Sequence, residues 1–314
     1  MMNDVIIVAG PTASGKTLLS LHIAAFLRKK YGLDSEIINA DSIQLYKDLK
    51  VLTAHPSLTD MGDVAHNLFG ILGPNDSSNV VLWLQKAQAV IENLRAKNKI
   101  AIICGGTGFY IRAITDGIAP IPKIPQNIRQ QVRKEFNTLG KNQFLEKLLA
   151  LDYSFDQRHK NDVQRILRAY EVAYFTGKPL SEWWRSAGNS HQSYHATTFL
   201  LSPDRSKLHE LCYRRVQKMM RDGAPDELMD FMRRYPDYGG PLSCAIGYAD
   251  LKCFVKNELS ETECIGSIFI KTRQYIKQQC TWFRYKLPEA FVLNGSGYDS
   301  DVIINVDDII TSTY

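Results

Sequence analysis

The spacing of apolar residues changes twice along this chain, and it predicts an alternation of strands and helices, then a block of helices, then a return to the sheet. Val5-Ile6-Ile7-Val8-Ala9 is a β-branched run without polar interruption, the pattern of a parallel strand buried on both faces. Behind it Leu18, Leu19, Leu21, Ile23, Ala24, Ala25 and Leu27 recur at helical spacing as far as Arg28-Lys29-Lys30 and a stop at Gly32. Residues 36–40 and 100–104 repeat the strand pattern, and residues 80–97 read as the crossover helix between them. The second strand delivers Asp41-Ser42-Ile43-Gln44, and the third delivers Gly105-Gly106-Thr107-Gly108 and a helix through Tyr110 and Ile114. Ligands of parallel α/β sheets collect at the carboxyl ends of strands, so Lys16, Asp41 and Thr107 are expected to share one crevice.

The rhythm breaks at Ile118-Ala119-Pro120-Ile121-Pro122-Lys123-Ile124-Pro125, where three closely spaced prolines mark a border. From Ile128 to about Trp184 the pattern is helical, through Val132, Phe136, Phe144, Leu148, Val163, Ile166, Leu167 and Tyr170. Thr197-Thr198-Phe199-Leu200-Leu201 then reads as a strand rejoining the sheet, so an all-helical domain of residues 118–196 is expected as an insertion. The α/β core would comprise residues 1–117 and 197–314, with helices over 206–222, 226–235 and 261–285.

Composition adds limits. With 314 residues, 45% of them hydrophobic, the chain can bury a proper core. A net charge of +5 permits a polyanionic partner without requiring one. The charge is uneven: residues 121–185 hold 12 Lys/Arg against 7 Asp/Glu, and residues 271–286 hold five cations and no acid. The six cysteines show neither a C-x-x-C pair nor metal-ligand spacing, which suits reduced thiols in a cytoplasmic protein. No run approaches a membrane span and no signal sequence is recognised, so a monomer away from membranes is expected.

Residues 10–17, Gly-Pro-Thr-Ala-Ser-Gly-Lys-Thr, satisfy the phosphate-binding pattern G-x-x-x-x-G-K-[ST] between a strand and a helix. Gly10 and Gly15 let the backbone N–H groups of Thr12, Ala13, Ser14 and their neighbours converge on a phosphate at the positive end of the helix. Lys16 adds a mobile cation, and the Thr17 hydroxyl suits a Mg²⁺ that shares the phosphate oxygens. The fold expected is therefore a P-loop NTPase-like parallel sheet flanked by helices, with a helical insertion.

Further motifs follow in order along nearly the whole chain: DSIQLY at 41–46, TAHP at 53–56, HNLFGI at 66–71, GGTGFY at 105–110, DVQRILRAYEV at 162–172, TGKP at 176–179, Arg215-Val216 with Met219, AIGY at 245–248 and TRQYIKQQCTWFR at 272–284. Together with the glycine turn they resemble the tRNA dimethylallyltransferases (tRNA isopentenyltransferases). The resemblance implies transfer of a dimethylallyl group from its diphosphate to N6 of the adenosine 3′ of the tRNA anticodon, with Mg²⁺ as cofactor. It implies Asp41 as general base, because an adenine amine is a poor nucleophile until a base takes its proton. A Mg²⁺ helper is the alternative for that carboxylate. Arg215 resembles the arginine that grips the diphosphate from across the crevice. The base must be splayed out of the anticodon stem-loop, and Asp41, Ser42, Ile43 and Gln44 would read its edge. Thr107 serves either phosphate or nucleotide, or simply caps its turn. The resemblance makes Gln164, Arg165, Ile166, Leu167 and Arg168 of the insertion the contact with the tRNA loop, with Arg129 as companion. Lys277, Trp282 and Arg284 would add cations and a stacking surface.

The chain departs from the family pattern at His66-Asn67-Leu68-Phe69-Gly70, where a second His and an Asp are usual, at Gln278, where Arg is usual, and at Leu211. It has no Cys/His cluster after Tyr285, which resembles the bacterial type. A small-molecule kinase or an adenylate isopentenyltransferase shares the scaffold but leaves the basic helical insertion without a purpose. An RNA-binding ATPase is the reading from outside prenyl transfer.

Overall fold

A computed structural model of the protein describes residues 5–186 and 194–313. The chain divides into two compact units, Met1–Thr115 with Tyr194–Tyr314, and Asp116–Ser193. The border at 115/116 lies just ahead of the proline-rich stretch; residues 187–193, at the far end of the expected insertion, lie outside the described residues.

In chain order the first unit runs β1 (Val5–Ala9), α1 (Lys16–Tyr31), β2 (Ser35–Asn39), α2 (Leu58–Met61), β3 (His66–Asn67), α3 (Val80–Ala96), β4 (Ile100–Gly105) and α4 (Gly108–Thr115). The second unit holds α5 (Gln126–Leu151), α6 (Val163–Thr176) and α7 (Leu180–Ser186). The chain then returns through β5 (Ala196–Leu201), α8 (Arg205–Arg221), α9 (Ala224–Arg234), α10 (Tyr248–Val255), α11 (Glu261–Lys286), β6 (Phe291–Leu293) and α12 (Ser300–Thr313).

The six strands form one parallel sheet of order β3-β2-β4-β1-β5-β6. Every residue of β1 and β4 is buried, as uninterrupted apolar runs require at the centre of a sheet covered on both faces. On one face Leu19, Ile23 and Leu27 of α1 pack with Val302, Val306 and Ile310 of α12 over Ile6, Val8 and Ile102. The stop at Gly32 is a left-handed C-cap (φ 67°) whose N–H bonds the Arg28 carbonyl. α11 starts from a capping box in which Ser260 and Glu263 exchange hydrogen bonds. β1, β2 and β4 end at the same edge, and β2 lies two strands from β1. The glycine turn, Asp41 and Thr107 accordingly come from neighbouring strand ends.

In the second unit α5 carries a non-helical Gly140 (φ 73°), so its two halves fold against α6 separately. The core between them is Val132, Phe144, Leu148, Ile166, Leu167, Tyr170 and Leu180, with the Phe144 and Tyr170 rings 4.5 Å apart.

Candidate functional site

The turn after β1 is built for an anion. Ala13 (φ 64°) and Gly15 (φ 85°) both occupy the left-handed region, which turns successive amides inward. The N–H groups of Ala13, Gly15, Lys16 and Thr17 have no hydrogen-bond partner among the described residues, and Ser14 is fully buried with an unpartnered hydroxyl. Four free amides at the head of a 16-residue helix are a strong anion receptor. Lys16 Nζ donates to the Pro11 carbonyl at 2.7 Å, folded back over the turn. Burial is the main cause pulling its pKa down to about 8, with the Arg215 charge adding to the fall while Cys104 and Asp41 oppose it. The ammonium is therefore ready to welcome a negative ligand.

Around the turn two neighbouring loops are tied together. Asn39, buried at the end of β2, accepts the Asp41 N–H at 2.8 Å and donates to the Asp41 carbonyl at 3.0 Å. Asp41 Oδ1 accepts the Ile43 N–H at 2.9 Å, which fixes the carboxylate in its own turn. The Ser42 N–H donates to Thr107 Oγ1 at 3.1 Å, joining the loops after β2 and β4. Gln279 of α11 completes the frame: it accepts the Thr12 N–H at 2.8 Å and donates to the Gly106 carbonyl at 3.0 Å.

These groups border a cavity of about 310 Å³. Thr12, Asp41, Ser42 and Arg215 form its polar wall, and Leu52, Val216, Met219, Ile246 and Ile268 its apolar one. Burial lowers the Arg215 pKa, an effect that Asp41 opposes. Tyr275, also on the wall, is pushed up to about 12 by burial and by Asp41, so its phenol keeps its proton. The space has a charged end beside the glycine turn and an apolar remainder.

The structure thus brings Lys16, Thr12, Asp41, Ser42, Ile43, Thr107 and Arg215 together. Gln44 belongs to the same loop but is turned away, its amide nitrogen donating to the Thr53 and Ala54 carbonyls at 3.0 and 2.7 Å. Trp282 packs its ring on Gly108, where a β-carbon would meet it at 2.3 Å, so one face is covered by α4. Lys277 and Arg284 are exposed on α11.

In the second unit Gln164 and Arg165 are exposed, with Arg165 paired to Asp162 at 3.1 Å. Arg168 and Arg129 share the buried Glu171 carboxylate at 3.8 and 4.0 Å. Ile166 and Leu167, expected beside them, present little or no side-chain surface for a tRNA contact. They are 0% and 7% exposed and fill the α5–α6 core, because the periodicity that turns Arg165 to solvent and leaves Arg168 half-buried turns the two residues between them inward. Gln279 and Tyr275 lie in a recognised motif, yet nothing in the one-dimensional pattern gave them tasks; helical spacing from Thr272 alone could have placed them on one buried face.

Among the described residues no three His, Cys, Asp or Glu side chains group as a metal nest, and no helix is long and apolar enough to cross a membrane.

Residues 44–286 match the family model described as IPP transferase. A tRNA dimethylallyltransferase of Sinorhizobium medicae is 36% identical over 290 residues, which cover 92% of this chain and 93% of the relative. One of a Caulobacter species is 37% identical over 286 residues, 91% of each chain. Among solved structures, the full-length tRNA isopentenylpyrophosphate transferase of Bacillus halodurans superposes with a TM-score of 0.70 at 26% identity, covering 98% of this chain and 96% of that one.

Proposed function

Because this chain belongs to the IPP transferase family, we propose that it is a prenyltransferase that moves the dimethylallyl group of dimethylallyl diphosphate onto N6 of the adenosine 3′ of the anticodon in tRNA. In that reaction the bond from the allylic carbon to diphosphate breaks, a bond from that carbon to N6 forms, and N6 gives up one proton. The observation that carries the reading is a cavity with an anion receptor at one end, an apolar wall along its length and an aspartate on its rim.

The four free amides, Lys16 and Arg215 hold the diphosphate, and the two cations stabilise the charge it gathers on leaving. Asp41 is the base. Its Oδ1 is held by the Ile43 N–H, which restrains the carboxylate beside the cavity and leaves the second oxygen to take the proton of an incoming amine. Val216, Met219 and Ile246 exclude water from the allylic carbon, so the amine competes with little hydrolysis. A Mg²⁺ would be held as the diphosphate's companion by the Thr17 hydroxyl, phosphate oxygens and water, no acidic cluster being present among the described residues, and would supply charge neutralisation. Arg165, Arg168 and Arg129 are proposed as contacts to the anticodon stem-loop, with Lys277 and Arg284 as further phosphate contacts. Thr107, through its bond to Ser42, holds the base-reading loop in place.

The test is pyrophosphate release from dimethylallyl diphosphate with the purified protein and Mg²⁺. Release that requires an anticodon hairpin carrying the target adenosine supports the assignment. Equal release with a hairpin lacking that adenosine, or with none, rejects it.

A further inference from the structure

The stretch after β6 takes no part in the site as described so far, yet it reaches the glycine turn. Residues 295–299, Gly-Ser-Gly-Tyr-Asp, make a tight turn in which the Ser296 N–H and hydroxyl both donate to Asp299, at 2.8 and 3.0 Å. Lys207 of α8 pairs with the same carboxylate, so the turn is tied to the helix that carries Arg215. The Gly297 N–H donates to the Ser14 carbonyl at 2.9 Å. Gly297 and Gly15 touch through their backbones: a β-carbon on Gly297 would lie 2.2 Å from the Gly15 carbonyl oxygen, and one on Gly15 would lie 2.9 Å from the Gly297 nitrogen. Two glycines are needed because two main chains pass at contact distance.

The next residue is Tyr298. Its ring edge would lie 3.0 Å from a β-carbon on Gly15, the residue is 58% exposed, and its hydroxyl has no hydrogen-bond partner among the described residues. More than half of the residue's surface stays open to solvent beside that glycine. On the assignment of diphosphate to the glycine turn, we propose that Tyr298 is a further substrate-contacting residue, its phenol donating to the diphosphate at the mouth of the turn beside Arg215. Arg215 lies within electrostatic range of the Tyr298 phenol. A phenol O–H is a donor that suits an anion. The buttress of Gly297 against Gly15 sets where the phenol stands, and Asp299 with Lys207 fixes the buttress.

The experiment measures binding of inorganic pyrophosphate with Mg²⁺ by calorimetry, and KM and kcat for dimethylallyl diphosphate with an anticodon hairpin, in wild type, Tyr298→Phe and Lys16→Ala. Tyr298→Phe keeps the ring and removes the donor. Its pyrophosphate affinity is expected to fall roughly tenfold, as for loss of one hydrogen bond to a charged group. KM for dimethylallyl diphosphate rises in step, while KM for the hairpin and the melting temperature stay unchanged. Wild-type affinity in Tyr298→Phe, alongside loss of binding in Lys16→Ala, overturns the role of Tyr298 and leaves the diphosphate assignment standing. Pyrophosphate that fails to bind wild type overturns both.

Discussion

Gln279 and Thr12 are joined by a 2.8 Å hydrogen bond across 267 positions of sequence, from the middle of α11 to the tip of the glycine turn. The same amide group donates to Gly106 at 3.0 Å, so one buried side chain fixes the distance between the loops after β1 and β4. Gln279→Leu would keep the volume and leave the Thr12 N–H and the Gly106 carbonyl without a partner. A destabilisation of roughly 1–3 kcal/mol is expected, with a raised KM for dimethylallyl diphosphate. Urea unfolding and steady-state kinetics measure the two effects, and an unchanged midpoint would remove the bolt from the account.

Asp41→Ala should lower prenyl transfer by about 10²-fold or more while the anticodon hairpin still binds. Single-turnover rates and hairpin titrations separate the two. A carboxylate that only assisted a metal would instead show a rate restored by raising Mg²⁺.

Much of this framework was legible in the residues themselves. The runs that become β1 and β4 are uninterrupted and apolar because they lie between two layers of helix, and the shorter apolar pieces Ile37-Ile38 of β2 and Phe199-Leu200-Leu201 of β5 carry the same mark of burial. β3 and β6 were not legible. His66-Asn67 and Phe291-Val292-Leu293 are short edge strands whose pairing comes from the neighbours they meet, not from their own pattern. α12 was readable in principle: Val302, Val306 and Ile310 recur every four residues, but Asp301, Asp307 and Asp308 interrupt the apolar pattern around them. The site divides in the same way. The glycine turn and Asp41 are local motifs, whereas Gln279, Tyr275 and Tyr298 matter only because distant segments fold beside that turn.

Lys16 sets a pH dependence of definite sign. Its pKa is about 8 in the folded protein against 10.5 ordinarily, so between those values the unfolded chain binds more protons and stability rises with pH. Below about 8 the full cost of the buried ammonium is present. Lys16→Met should therefore raise the melting temperature of the free protein at pH 7 by roughly 2–5 °C, a gain that shrinks towards pH 10.5. In wild type KM for dimethylallyl diphosphate should climb as the pH passes 8, where the free ammonium is lost. Calorimetric melting and kinetics from pH 6.5 to about 9.5 check both signs.

The helical unit separates binding from packing within one turn of α6. Arg165→Ala removes an exposed cation, and the slope of log affinity for the hairpin against log salt should fall by about 0.7 to 0.9, with stability unchanged. Ile166→Ala empties a fully buried position and should cost about 2–5 kcal/mol, with no change in the salt slope. A reversed pattern would return Ile166 to the RNA surface.

The most direct measurement is the mass and position of the product. An anticodon hairpin carrying the target adenosine, incubated with the protein, Mg²⁺ and dimethylallyl diphosphate, is digested to nucleosides and resolved by mass spectrometry. One dimethylallyl group in place of one hydrogen, on that adenosine alone and absent with Asp41→Ala, is the predicted result. An unmodified hairpin, with the protein instead hydrolysing nucleoside triphosphate, would contradict the account.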